Sequence, residues 1–443
     1  MKTGVWALAS FLLGACSAND AVMDANDAPY FTEHSDILLA EKQEFIARRN
    51  NAFAFGLLNT TVNSEQPDRN VLLSPLSASL ALGLLNNGAT GTTEAQIRTA
   101  LGYKDLTRTE LNDYFKGMIQ ALEHIDQKVN LNIGSSIWLQ ESPELNTAFS
   151  EINTACYNAD IFHVWFGSEE ALTMINTWLQ EKTDGALSDF FNSGDYYLPA
   201  DTYNDPYKDP YFDQNSYYWK GTQMWLLHTV CFNGAWQTPF DGDRSGNVAF
   251  TNSDGTTTEV VAMNGRMNVN FVATDELAMV ELPYSNGSFS LNVLLPDRNT
   301  TSQKLIEQMT EPQWKELVGK LQKTAVDVSL PRFSVEYEHD LDSDISTLGM
   351  SSIFDATTAS FGDLSSARGI CVNRMRQKLR STVNESGTSA ATLSDIVTNP
   401  GNEPVGITTA DKAAEFRVDR PFIYIIKEQS SGVIIFTGIV KKL

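Results

Sequence analysis

Apolar positions recur every three or four residues through the first half of the chain. In the second half they fall mostly in short alternating bursts. The helical spacing predicts an amphipathic helix over 37–62, with Phe45, Phe53, Phe55, Leu57 and Leu58 on its apolar face. Val71-Leu72-Leu73 reads as a short buried strand. Ser74-Pro75 then reads as a helix start, a hydroxyl cap followed by proline at the first helical position. That helix is predicted to reach about Asn86, with Asn87-Gly88 as a left-handed stop. Further helices are predicted over 92–101, 107–125, 143–155 and 169–182, with a strand over 131–139.

From Leu226 onward strands dominate, over 226–232, 248–250, 257–261, 268–274, 277–283, 289–295 and 326–330. Helices at 302–308, 312–320 and 341–348 interrupt them. Two apolar strands, 422–426 and 433–440, close the chain around a turn at Ser430-Ser431-Gly432. Helices first and strands later argue for an α+β fold rather than a doubly wound sheet. No repeat, heptad run or Gly/Ser linker divides the chain, so a single domain is expected.

Between these blocks lies a run of small residues, Glu385-Ser386-Gly387-Thr388-Ser389-Ala390-Ala391-Thr392. Left alone it is a weak strand, yet Ala and Thr fit a crowded sheet interior without overpacking. The arrangement reads as a spare strand held outside a folded core. Its two faces differ: Thr388, Ala390, Thr392 and Ser394 share one side, and Ser389, Ala391, Leu393 and Asp395 the other. The first set is small throughout and suits an inner face.

Composition narrows the function classes. The 443 residues are 42% hydrophobic and 20% charged, an ordinary globular balance. Lys+Arg 32 against Asp+Glu 55 gives a net charge of −23, which repels nucleic acid and anionic lipid headgroups. A nucleic-acid role is therefore excluded from the reading.

At the N-terminus Lys2 precedes an apolar run over 5–13, too short to span a bilayer as a helix. Leu13-Gly14-Ala15-Cys16 resembles a bacterial lipoprotein signal, in which Cys16 is lipidated and becomes the first mature residue. An ordinary secretory signal with an incidental cysteine is the alternative. The division expected is a signal over 1–15, a flexible Ala/Asn/Asp-rich tether over 16–36 and one domain over 37–443. The lipid would hold the protein in the cell envelope, periplasmic or at the cell surface. Cys156, Cys231 and Cys371 form no CxxC and no even-numbered framework, so no structural disulfide is expected.

The segment 192–224 is crowded with tyrosines and carries Asp201, Asp205, Asp209 and Asp213 at four-residue spacing. It matches no EF-hand loop and reads as a solvated surface insertion, with calcium or glycan binding as the alternative. Enzyme signatures are missing: no GxSxG, HExxH, Walker loop or strand-borne GxGxxG. The five histidines lie far apart, without metal-ligand spacing. Asp340, Asp342 and Asp344 lack the glycine of a calcium loop and read as a solvated helix start. No catalysis, metal or cofactor is expected.

Tetrapeptide motifs in a fixed order tie these features together. They are Asn70-Val71-Leu72-Leu73-Ser74-Pro75-Leu76-Ser77, Ile175-Asn176-x-Trp178, Thr183-Asp184-Gly185 and Phe232-Asn233-Gly234-x-Trp236-x-x-Pro239-Phe240. Leu282-Pro283-Tyr284, Leu295-Pro296-Asp297, Leu330-Pro331-Arg332-Phe333 and Asp419-Arg420-Pro421-Phe422 follow. Together they resemble the serpin family of serine protease inhibitors from about residue 37 to the end. The resemblance implies helices packed on three β-sheets with an exposed reactive loop at about 385–416. The loop hinge would be Glu385, Gly387, Thr388, Ser389, Ala390, Ala391 and Thr392.

Ser74, Ser77, His228 and Gln377 would form the shutter beneath the main sheet, with Trp236 at the breach where the loop first enters. The shutter asparagine and histidine of the family fall on His228 and Gln377, which suggests an exchanged imidazole–amide pair with the latch kept. Two unrelated substitutions are the alternative.

The implied activity is irreversible suicide inhibition of serine, and also cysteine, endopeptidases by a monomer. The partner would be the target endopeptidase, bound as a covalent acyl complex. The cleaved bond would lie fourteen residues past the hinge glycine, at Gly401-Asn402, and fourteen residues at ~3.3 Å each reach about 46 Å. Glycine offers no side chain to a specificity pocket; Thr398, Asn399, Val405 and Lys412 are the chemically richer neighbours. A serpin fold kept for binding or structure remains the alternative function.

Overall fold

The computed structural model describes residues 6–14, 34–140, 144–166, 168–183, 185, 222–367, 369–389 and 413–443. Their strands, in chain order, are β1 (Trp6–Gly14), β2 (Val71–Leu73), β3 (Val129–Leu139), β4 (Ala159–His163), β5 (Thr222–Ala235), β6 (Gly246–Thr251), β7 (Thr257–Ala273) and β8 (Leu277–Pro283). Then come β9 (Phe289–Pro296), β10 (Gln322–Pro331), β11 (Phe333–Asp340), β12 (Ile370–Val383), β13 (Gly387–Ser389), β14 (Ala414–Arg417), β15 (Phe422–Glu428) and β16 (Ile434–Val440). The α-helices are α1 (Glu41–Ser64), α2 (Pro75–Asn86), α3 (Gly91–Ala100), α4 (Arg108–His124), α5 (Thr147–Tyr157), α6 (Glu169–Lys182), α7 (Ser302–Gln308), α8 (Glu311–Gly319) and α9 (Asp342–Ile345).

Two hydrogen-bonded sheets result among the described residues. Of the three sheets expected, two share β7, one continuous strand of 17 residues where the sequence suggested two pieces, and so form one hydrogen-bonded network. One stretch of β7 pairs with β6 and another with β8, while β10 lies along its far side, so what would be separate ladders share a strand. The other sheet has seven strands. Across it run β11, β12, a central slot, β5, β3 and β4. Both β1 and β13 lie in that slot, each hydrogen-bonded to β12 on one side and β5 on the other.

Helix α2 positions the middle of the slot. Every one of its residues is buried, as expected for a helix apolar on all sides. Ser74 caps it by accepting from Ser77 N. The helix stops at Asn87 in right-handed geometry, not with the left-handed stop expected there. Gly88 is needed for a different reason: a Cβ there would lie 2.6 Å from Leu364 Cβ and 2.9 Å from Phe149. At the chain end, Gly432 takes a positive φ (70°) within the closing turn.

Helix α6 lies across the outer face of the sheet, with Ile175, Trp178 and Leu179 packed into a cluster with Trp138 and Trp225. The close approach depends on Gly134 of β3, where a Cβ would sit 2.7 Å from Thr229 Oγ1 and 3.2 Å from Trp178. The helix expected over 341–348 is a short α9 followed by a kink at Gly349, φ 99°. Its carboxylates are not solvated. Asp344 is buried, accepts from Thr61 Oγ1 at 2.7 Å and pairs with His339 Nε2 at 2.8 Å. Burial pushes the Asp342 carboxyl up to about 6 although Met375 N donates to it.

Candidate functional site: the slot of the main sheet

The upper end of the slot is built around the hinge. Asn384 forms the turn that aims the chain inward: its Oδ1 accepts from Ser386 N at 2.9 Å and Gly387 N at 3.3 Å. Gly387, Thr388 and Ser389 then pair with Ala235, Gly234 and Asn233 of β5, and Thr388 and Ser389 with Val383 and Thr382 of β12. Glycine is required at 387, because a Cβ there would overlap Gly234 O and lie 2.8 Å from Ala235 Cα, both backbone atoms. Thr388 is buried and its hydroxyl lies 2.5 Å from Tyr284 Oη. Thr388, the first residue of the proposed inner-face set, therefore does face inward.

Trp236 locks this corner. Its indole Nε1 donates to the Asn384 carbonyl at 2.8 Å and its backbone N to the Ser386 carbonyl at 2.9 Å. The ring stacks on Tyr284 at 4.6 Å between centroids. Glu385 pairs with the Arg332 guanidinium at 2.5 Å and accepts from Ser245 Oγ at 2.5 Å. Burial raises its carboxyl, but these partners outweigh that and hold it below the usual carboxylate range. Asn384, Gly234, Tyr284, Arg332 and Ser245 were not assigned hinge roles from sequence. Only Asn384 left a readable signal, the turn-forming Asn-Glu-Ser-Gly.

The shutter lies further down the slot and differs from expectation. Ser77 Oγ and His228 Nδ1 share a hydrogen bond at 3.2 Å. Gln377 does not pair with His228. Its Nε2 donates to Ser74 O at 2.8 Å and its Oε1 accepts from Ser74 N at 3.2 Å. The reason is spatial: Leu12 of β1 is register partner to both His228 and Gln377, so a strand separates them. His228 Nε2 is left buried and without a hydrogen-bond partner, and burial drives the imidazole pKa down to about 3.

Cys231 on β5 is disulfide-bonded, with a partner outside the described residues, so the expectation of no structural disulfide fails. Ala390, Ala391, Thr392, Gly401, Asn402 and Lys412 lie outside the described residues, as do Cys16 and most of the 192–224 segment. Among the described residues no group of three or more His, Cys, Asp or Glu is placed to hold a metal ion, and no helix is long and apolar enough to cross a membrane.

The main sheet thus has a slot between two long parallel strands, with Gly387–Ser389 paired into its upper end and the buried Ser74 and Ser77 bonded to Gln377 and His228 of its walls. The family model for serpins (serine protease inhibitors) matches residues 48–198 and 214–443, and the chain belongs to that family. It is 28% identical over 412 residues to Iripin-1 of Ixodes ricinus, covering 91% of this chain and 96% of the relative. It is 27% identical to human Serpin B8, covering 89% and 98%. Among solved structures, the native state of the thermophilic serpin tengpin superposes with a TM-score of 0.73 at 28% identity, over 93% of this chain and 97% of the other. Human thyroxine-binding globulin in complex with its hormone superposes with a TM-score of 0.74 at 22% identity, over 90% and 99%, a likeness of fold alone.

Proposed function

We propose that the chain is an irreversible suicide-substrate inhibitor of serine endopeptidases, and of cysteine endopeptidases that form the analogous thioester. The observation that carries this reading is the hinge itself: Gly387–Ser389 already pairs with both walls of the slot, with Thr388 turned inward. Continuing that register would set Thr392 opposite Val230 and Pro400 opposite Thr222, the first residue of β5. Gly401-Asn402 would then emerge at the far end of the strand, where a tethered protease would meet the body of the inhibitor.

The chemistry is ordinary proteolysis interrupted. The protease serine Oγ attacks the Gly401 carbonyl carbon, the Gly401–Asn402 bond breaks, and the new amine leaves on Asn402. The acyl ester remains on Gly401. Insertion of 390–400 then carries the enzyme along the sheet before water attacks the ester, and compression against the body deforms its active site. The residues available for insertion support this, since the inner-face positions are small and the segment 387–392 contains no proline or charge.

In the same reading residues 16–36 tether the inhibitor, and the monomer works at the cell envelope. Incubation with elastase-, trypsin-, chymotrypsin- and subtilisin-like enzymes should give, with at least one, a complex that survives denaturing electrophoresis. Mass spectrometry of the released C-terminal fragment locates the bond. Plain loop cleavage by every enzyme, with no covalent complex, would count decisively against inhibition.

A further inference from the structure

The slot that the loop needs is already filled along most of its length. Strand β1 pairs with β5 from Thr222 to Val230 and with β12 from Ile370 to Lys378. The hinge strand ends at Ser389, opposite Asn233 and Thr382. Only Phe232 and Cys231 on β5, and Ser381 to Leu379 on β12, lie between the two ladders. A loop zipping down from Ser389 would therefore place about two residues before reaching Val230, the partner of Gly14. From there on, every backbone donor and acceptor it needs is engaged by β1.

We infer that Trp6–Gly14 is a built-in plug of the main sheet, and that a chain retaining it is a substrate rather than an inhibitor of proteases. The inference rests on the inhibitory reading above for its consequence, though not for its geometry. The plug runs parallel to both neighbours whereas the loop runs antiparallel to them. Antiparallel pairing is somewhat more stable per residue, so the inserted loop is favoured at equilibrium. Timing decides against it. For the loop to advance, the plug must release both ladders from Gly14 onward, while water needs to attack only one ester.

The plug also coincides with the apolar run over 5–13 that reads as an export signal. A single hydrolysis at Ala15–Cys16, one water consumed and residues 1–15 released as a peptide, would therefore both complete export and empty the slot. Such a chain would be unable to trap proteases until it had left the compartment in which it was made.

The test uses cell-free translation, which leaves the N-terminus intact. Three chains are compared: the full chain, a chain beginning at Ser17, and the full chain carrying Ser10→Pro with Leu12→Pro. Proline removes strand donors without shortening the protein. One arm measures uptake of a fluorescent synthetic peptide spanning 390–400. The other measures covalent complex formed per loop cleaved.

The shortened and proline chains should take up peptide and, relative to the full chain, partition toward complex by more than about tenfold, about 1.4 kcal/mol in competing barriers. Equal uptake by the full and shortened chains, or uptake by none, overturns the plug whatever the inhibition result. Uptake by the shortened and proline chains alone, without covalent complex from any of the three, keeps the plug and rejects the inhibitory reading. Uptake by the shortened chain but not the proline chain overturns it too, because length rather than pairing would then be responsible.

Discussion

The two ends of the hinge-to-shutter path are built on opposite terms. At the breach Trp236, Tyr284, Asn384 and Glu385 each have partners, and the backbone of Gly387 and Thr388 is paired in the sheet. At the shutter His228 Nε2 and Ser135 Oγ are buried without hydrogen-bond partners. A buried donor or acceptor left unmade costs about 1–3 kcal/mol, so the two regions differ in stored free energy as well as in contacts. In the proposed mechanism the breach would fix where a strand begins to enter, and the shutter would be where partners are exchanged as the strand passes.

Breaking the satisfied end should have the largest effect. Trp236→Ala removes the indole donor, the Tyr284 stack and a large buried volume, and should cost about 3–5 kcal/mol in denaturant unfolding. A loss below 1 kcal/mol would show that the corner is not locked by this ring. Gly387→Val forces a side chain against the backbone of Gly234 and Ala235, which cannot yield as a flexible side chain does. An overpacking cost of about 1–3 kcal/mol is expected. Because β13 can leave the sheet to relieve it, limited proteolysis near residue 387 should speed up while covalent complex disappears.

The unsatisfied end is tested by acid. His228 stays neutral in the folded protein, with a pKa lowered from 6.5 to about 3 by burial. Unfolding exposes the ring, which then binds a proton, so its contribution is present above pH 6.5 and is lost as pH falls through the window from 6.5 to about 3. Between pH 7 and pH 5 this group alone should remove about 2 kcal/mol of stability. His228→Gln should flatten that part of the profile, and an unchanged slope would move the acid sensitivity elsewhere. The smallest effect belongs to Glu385→Gln, which breaks a partly exposed ion pair with Arg332 worth up to about 1 kcal/mol. High salt should reduce the difference between this variant and the parent chain.

How legible each element was depended on how local its cause is. Helix α6, strand β8 and helix α7 were readable to the residue, because caps and periodicity lie within one segment. Strands β4, β11 and β12 escaped the alternation reading. In β12 the run Asn373-Arg374-Met375-Arg376-Gln377-Lys378-Leu379-Arg380 is mostly polar, yet Met375, Gln377 and Leu379 are buried while Arg376 and Arg380 reach Asp340, Glu338 and Glu336 across the ladder. Asp344 was misread for the same reason, since its partner Thr61 lies on a distant segment, whereas Asp340 is exposed as expected.

By itself the sequence determined the order of elements, the placement of the hinge glycine and the small residues that follow it, because these depend on side-chain size and local spacing. Only the tertiary structure decided why Gly387 must be glycine, which partners His228 and Gln377 choose, and which strand fills the slot. Those depend on backbones brought side by side from distant parts of the chain. Periodicity reports which face of a strand is buried, but it carries no information about what lies across the ladder.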